Sequence, residues 1–117
     1  MHEGAIARSL LNIAHHHFLK AELQEVAKVT VIIGRLHHIV PEVLELHFDL
    51  LKKDLAGFEQ AALEIEQKEV VIRCRNCHQT TLLKDVSFAC PHCASLDTEL
   101  IQGDELYLAS IEGVEGA

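Results

Sequence analysis

Two stretches, Arg73-Cys74-Arg75-Asn76-Cys77-His78 and Ala89-Cys90-Pro91-His92-Cys93-Ala94, carry all four cysteines of the chain as two Cys-x2-Cys pairs. Twelve residues separate Cys77 from Cys90. Each pair forces a tight turn, and two such turns facing each other offer four soft sulfur donors to one tetrahedral ion, the set that suits Zn(II). The intervening run is shorter than the ~15–20 residues of the usual pattern, though a short hairpin spans it. Pro91 fixes one φ angle of the second turn. Four thiolates close the coordination shell and leave no position for an activated water, so the expected zinc is structural rather than catalytic. Two matched pairs at this spacing also argue for one metal over two dithiol exchange motifs. His78 and His92 stand beside the ligands, as outer partners or facing solvent, with exchange for a thiolate on acidification as the alternative.

Outward from the cysteines, both flanks read as strands. Leu63 and Ile65 alternate with Glu64 and Glu66, and Val70-Val71-Ile72 continues the extended pattern; Leu106 to Ile111 forms the return stretch. The cysteine segment is therefore an insertion between neighbouring strands. Further upstream, Val29-Thr30-Val31-Ile32-Ile33 is β-branched and ends at Gly34, a buried strand before a turn, and a loop runs from Arg35 to Val40. Ile6, Leu10, Ile13, Ala14, His17, Phe18 and Ala21 recur at helical spacing from Glu3 onward, while Glu3, Arg8, Asn12 and His16 fall elsewhere. Pro41 suits a first helical position, and Val43, Leu44, His47, Leu50 and Leu51 supply the apolar face of a second helix that fades before Gly57. The fold class expected is α+β: two helices on a small, mainly antiparallel three-stranded sheet, with an inserted zinc ribbon. The corresponding domains are residues 1–72 plus 101–117 for the body and 73–100 for the ribbon.

A chain of 117 residues, 49% hydrophobic and 24% charged, suits one modest core with a stapled appendage. Its net charge of -8 opposes binding to a phosphate backbone, which depends on Lys and Arg neutralising phosphates. A nucleic-acid-binding or transcription-associated zinc ribbon is the alternative function, but Arg73, Arg75 and Lys84 are balanced by Asp85, Asp97 and Glu99, and Phe88 alone is available for base stacking. No apolar run approaches the ~20 residues of a membrane span, and no cationic stretch opens the chain. Cysteines in close pairs fit a reducing, cytoplasmic setting. An enzyme would need an open metal position, a Ser-His-Asp order or a phosphate loop, and none is present.

The first residues, Met1-His2-Glu3, form a chelator once the free amine is counted. The Met1 amine and a deprotonated His2 amide close one ring on a metal, and the His2 imidazole Nδ1 closes a second, fused ring. The Glu3 amide or a side chain from elsewhere completes a planar nitrogen-rich set, which suits Ni(II) or Cu(II) better than zinc. Anionic amide ligands also offset the unfavourable dipole of a helix N-terminus, and loss of affinity on mild acidification follows from the amine, whose pKa is ordinarily ~7.7–8.0.

Met1-His2-Glu3, the amphipathic helix that follows, Ile33-Gly34-Arg35-Leu36, the four cysteines and Gly103-Asp104-Glu105-Leu106 together resemble, in order and along the whole chain, the HypA/HybF family of nickel-insertion accessory proteins. The resemblance implies nickel at Met1, His2 and Glu3, the last mainly through its backbone, and structural zinc at Cys74, Cys77, Cys90 and Cys93. It implies a non-catalytic metallochaperone that carries Ni(II) as cargo for maturation of nickel-iron hydrogenase, and in some members urease. Expected partners are the nickel-binding GTPase HypB, the hydrogenase large subunit and urease maturation proteins, with no nucleic acid and no membrane. The chain departs from the family in its histidines. His37 and His38 enrich the loop before Pro41, and His15, His16 and His17 form a triple in which His17 is expected to face the core and the other two solvent. His37, His38 and His47 are further candidates for a fourth nickel ligand or its outer shell.

Overall fold

Glu22, at φ 55°, turns the chain out of its first helix and lets a long strand begin at once. In the computed structural model, which describes residues 2–84 and 88–116, helix α1 (Glu3–Lys20) leads into β1 (Leu23–Gly34), a single 3-10 turn (Arg35–His37) and helix α2 (Pro41–Lys52). Strands β2 (Ala62–Lys68), β3 (Val70–Cys74), β4 (Thr80–Leu83), β5 (Thr98–Gln102) and β6 (Leu106–Glu115) follow. Two three-stranded sheets result among the described residues, ordered β2-β1-β6 and β4-β3-β5. The chain forms two compact units: Met1–Ile32, His38–Glu66 and Tyr107–Ala117 in one, Ile33–His37 and Gln67–Leu106 in the other.

The first unit is organised by α1 and α2, which pack on each other. The buried face of α1 is Glu3, Ala7, Leu10, Leu11, Ala14 and Phe18: Leu10, Ala14 and Phe18 lie on the expected face, whereas Ile13, His17 and Ala21, expected with them, are exposed. Ala7 and Ala14 have no exposed surface, so the helix axis comes closest where side chains are smallest, while Ile13 is left 46% exposed at the flank. This face overturns the expected inward His17, which is exposed; His15 is half-buried and stacks on Phe18 with ring centroids 5.9 Å apart. Phe18 packs in turn on Phe58 at 5.3 Å. Gly57 makes this possible: its φ is +92° and a Cβ there would lie 2.6 Å from the Phe18 ring. Leu44 and Phe48 of α2 and Val26, Val29 and Val31 of β1 are fully buried around them, each contributing roughly 1.5–3 kcal/mol of hydrophobic stabilisation.

Strand β1 begins six residues before the expected Val29: its first half, Leu23–Lys28, is mostly exposed with Val26 alone fully buried, so it lacks the β-branched apolar run that marks Val29–Ile33. Its pairing with β6 is antiparallel: Gly116 N–H donates to the Glu22 carbonyl (3.2 Å) at one end, and Gly34 N–H to the Glu105 carbonyl (2.7 Å) at the other. Lys28 on this sheet bonds Glu64 (3.0 Å), with Glu112 3.9 Å away.

The second unit is built on β3, which pairs antiparallel with both β4 and β5. The expected single extended run from Leu63 to Ile72 is two strands in two different sheets, broken at Glu69. Glu69 is held from both sides: its carboxylate accepts from Arg35 Nε (2.8 Å) and its carbonyl from Gln102 Nε2 (3.0 Å). Gly34 and Gly103 meet here without side chains. A methyl on Gly34 would land on the Gly103 carbonyl, and Gly103 itself has φ +131°.

Candidate metal centre

The four cysteines arrive at one point because two short turns repeat the same hydrogen bonds. In the first, His78 N–H donates to the Cys74 carbonyl (3.0 Å) and Cys74 N–H to the Gln79 carbonyl (2.9 Å). In the second, Ala94 N–H donates to the Cys90 carbonyl (2.7 Å) and Cys90 N–H to the Ser95 carbonyl (2.9 Å). The residue after each second cysteine is left-handed, His78 at φ 63° and Ala94 at φ 62°, which is what closes each turn. Strand β3 delivers Cys74 at its end, and β5 begins at Thr98, just beyond the second turn.

The sulfurs all lie within 4.8 Å of one another, with Cys74–Cys93 and Cys77–Cys90 separated by 3.6 Å. A tetrahedral ion with bonds of ~2.3 Å sets sulfurs about 3.8 Å apart, so this donor set fits one metal ion. Cys77 N–H donates to Cys74 Sγ (3.4 Å) and Asn76 Nδ2 to Cys93 Sγ (3.8 Å). The Cys77 N–H, with that of Asn76, pulls the Cys74 thiol down to about 6 despite burial. Cys77 goes the other way: a donor N–H from Gln79 favours its thiolate, but burial and the three other sulfurs push it up to about 12. Four sulfurs cannot all ionise together on their own, and a bound dication is what makes that charge state stable. Cys74 and Cys90 are buried, Cys77 is half-buried and Cys93 is exposed. His78 and His92 are both exposed.

Beside this cluster Arg75 is engaged within the chain. Arg75 bonds Asp97 (3.1 Å) and the Thr98 carbonyl (3.3 Å), with Glu99 3.8 Å away. This leaves Arg75 engaged with carboxylates rather than presented to a polyanion.

The residues expected at the N-terminal chelate belong to the other unit, and Met1 lies outside the described residues. His2 is exposed at the N-cap of α1, where its carbonyl accepts the first helical hydrogen bond, from Ile6 N–H (2.9 Å). Glu3, by contrast, is only 6% exposed, and its carboxylate accepts from Val40 N–H at 3.1 Å. That bond, with its own backbone N–H and then the nearby charge of His47, holds the Glu3 carboxyl below its ordinary value of 4.5 against the opposing effect of burial. Sequence periodicity misses this anchor, because a carboxylate off the apolar face reads as solvated. Of the loop histidines, His37 Nε2 bonds the Asp104 carbonyl (2.9 Å), while His38 is exposed in a left-handed conformation at φ 53°. His47 is half-buried on α2 beside Gly4: a Cβ on Gly4 would lie 3.3 Å from both Cε1 and Nδ1 of its ring.

A family model described as hydrogenase/urease nickel incorporation, metallochaperone, hypA matches residues 1–113. The hydrogenase maturation factor HypA of Moorella thermoacetica is 35% identical over 113 residues, spanning 97% of this chain and 99% of its own. That of Aquifex aeolicus is 33% identical over 112 residues, 96% of each chain. The solution structure of the Ni metallochaperone HypA from Helicobacter pylori has a TM-score of 0.69 to this one at 23% identity, over 99% of this chain and 100% of that one, and so speaks for the fold.

Proposed function

The chain belongs to the HypA family of nickel-incorporation metallochaperones, accessory proteins of hydrogenase maturation rather than catalysts, and from that premise we propose that it carries Ni(II) at its free N-terminus. The nickel ligands in this reading are the Met1 amine, the His2 amide nitrogen and imidazole, and the Glu3 amide nitrogen. One observation carries the assignment. The helix makes its first bond from Ile6 N–H to the His2 carbonyl, so the amides of His2 and Glu3 precede any helical donor and can be deprotonated without breaking the helix. Anionic amides at that point also offset the positive end of the helix dipole that would otherwise repel a dication. The Glu3 side chain is occupied with Val40, which supports a backbone role for this residue.

The four cysteines then hold zinc as a fixed structural centre, and their unit supplies the shape that docks on partners. Nickel passes by ligand exchange to the large subunit of nickel-iron hydrogenase, in concert with the GTPase HypB; urease maturation is a second outlet consistent with the family description. A chain-end chelate suits delivery because lifting the amine opens it.

The direct test is a nickel titration of untagged protein beside a form with one residue added before Met1. Nickel affinity is expected to collapse in the extended form while zinc content stays at one ion per chain. Equal affinities for the two forms would sink the free-amine site.

A further inference from the structure

On helix α2, Leu44, Phe48 and Leu51 follow helical spacing on one side, and His47 falls among them at a position where an apolar residue is the ordinary occupant. It does not point away to solvent. Its ring lies over Gly4 in the first turn of α1: the three atoms nearest a Cβ placed on Gly4 are all His47 ring atoms, Cε1 and Nδ1 at 3.3 Å and Cγ at 3.7 Å. A side chain at position 4 would press on that ring, so glycine keeps a space that the imidazole fills. Among the described residues neither ring nitrogen of His47 has a hydrogen-bond partner within the chain. Thr81 Oγ1 is the buried side-chain atom left without a partner among the described residues, so the His47 ring nitrogens reach solvent and are open to an ion arriving from it.

Gly4 follows Glu3 directly and is two residues from His2, so the His47 ring stands beside the first turn of α1, next in the chain to the proposed chelating residues.

We propose that His47 is a nickel ligand, an additional imidazole nitrogen from α2 that binds above the plane of the N-terminal chelate and favours nickel over copper. This rests on the nickel reading given above. The planar nitrogen set comes from the first three residues and already contains anionic amides, so a neutral donor adds coordination without excess charge. Planar nitrogen sites bind Cu(II) more tightly than Ni(II) by intrinsic affinity. A strong axial donor changes the balance, because Cu(II) in tetragonal sites gains little from an axial ligand, whereas Ni(II) passes from a planar diamagnetic state to a higher-coordinate paramagnetic one. His47 thus acts on metal choice, and α2 becomes part of the site.

The experiment uses the untagged full chain in its zinc-loaded form, as wild type, His47→Gln, His47→Phe, His38→Ala and His2→Ala, titrated with Ni(II) and separately with Cu(II), with proton NMR of each nickel complex. Wild type is expected to show paramagnetically shifted imidazole resonances from two histidines. Both His47 variants should lose one set, return toward the diamagnetic planar spectrum, and bind nickel ~10- to 100-fold more weakly with little change for copper. His38→Ala should match wild type. Equal nickel affinity and unchanged spectra in both His47 variants would overturn the proposal and leave His47 a packing residue, as would equal losses for the two metals accompanied by a lower melting temperature. A spectrum that changes in His38→Ala but not in the His47 variants would move the donor to the loop and overturn it too. If His2→Ala retains full nickel binding, the N-terminal site itself fails and this proposal with it.

Discussion

Cys74, Cys77, Cys90 and Cys93 meet because two turns repeat one hydrogen-bond pattern, each within six residues, whereas His2, Glu3, Val40 and His47 are assembled by helices and a loop far apart in sequence. The cysteine centre is local twice over, and its two halves are joined by the pairing of β3 with β5 and by the bonds of Arg75 and Asn76 across to Asp97 and Cys93. The N-terminal region is presented by the core that α1 and α2 form, to which Glu3 ties it through Val40. A centre of the first kind is suited to a permanent ion whose binding energy is folding energy, and one of the second kind to cargo that must leave.

Removing one sulfur should expose that contrast most strongly. Structural zinc supplies on the order of 10 kcal/mol of binding energy, so Cys90→Ala is expected to lose zinc and the β4-β3-β5 sheet. The α1–α2 core, with Leu44, Phe48 and Phe58 buried, should survive. Hydrogen exchange reads both at once: amides of β3 and β5 lose protection while those of α1 keep it. Loss of protection throughout would show that the two units do not stand apart in stability, and the comparison would fail.

The converse substitution, His2→Ala, removes an exposed side chain that caps nothing. Nickel affinity should fall by more than about 100-fold, above the loss expected from removing an outer partner of a metal ligand, while zinc content and melting temperature stay where they are. A smaller effect is expected at Asn76, whose amide reaches Cys93 Sγ. Asn76→Ala should weaken zinc by about tenfold in competition with a chelator and leave nickel untouched, since the two centres share no residue. A change in nickel affinity in that variant would mean that the zinc-bearing unit tunes the cargo site.

Local chemistry is what the sequence made legible. The cysteine turns, Pro41 at the start of α2 and the strand ending at Gly34 all follow from a few adjacent residues, and the structure agrees with each. What depended on tertiary approach was misread. Periodicity grouped Ile13 and His17 with Leu10, Ala14 and Phe18, but the buried face turns toward Ala7 and Leu11, which leaves His17 outward and brings Glu3 inward. The run from Leu63 to Ile72 has no proline or glycine to break it; its division at Glu69 is made by Arg35 and Gln102, which no window on that run contains. His47 looked like a core residue from α2 alone and a ligand candidate from composition alone. Only its position over Gly4 gives either reading a reason.

Glu3 offers the finest test, because it belongs to the presenting core and to the chelating tripeptide at once. Its carboxyl is held below its ordinary value in the folded chain, so the unfolded state binds more protons between the two values and stability must rise with pH across that interval. The contribution is complete above about 4.5, the ordinary value, and is lost as pH falls through the lower, folded value. Glu3→Gln keeps an oxygen for Val40 N–H but has no proton to titrate. In nickel-free protein the urea midpoint of wild type should therefore fall more steeply than that of Glu3→Gln below pH 4.5, and the two should run parallel at neutral pH. Nickel affinity at neutral pH should change little, because the proposed site uses the Glu3 backbone nitrogen and not its carboxylate. A large loss of nickel with unchanged stability would reverse the division drawn here, placing the carboxylate on the metal instead of on the loop.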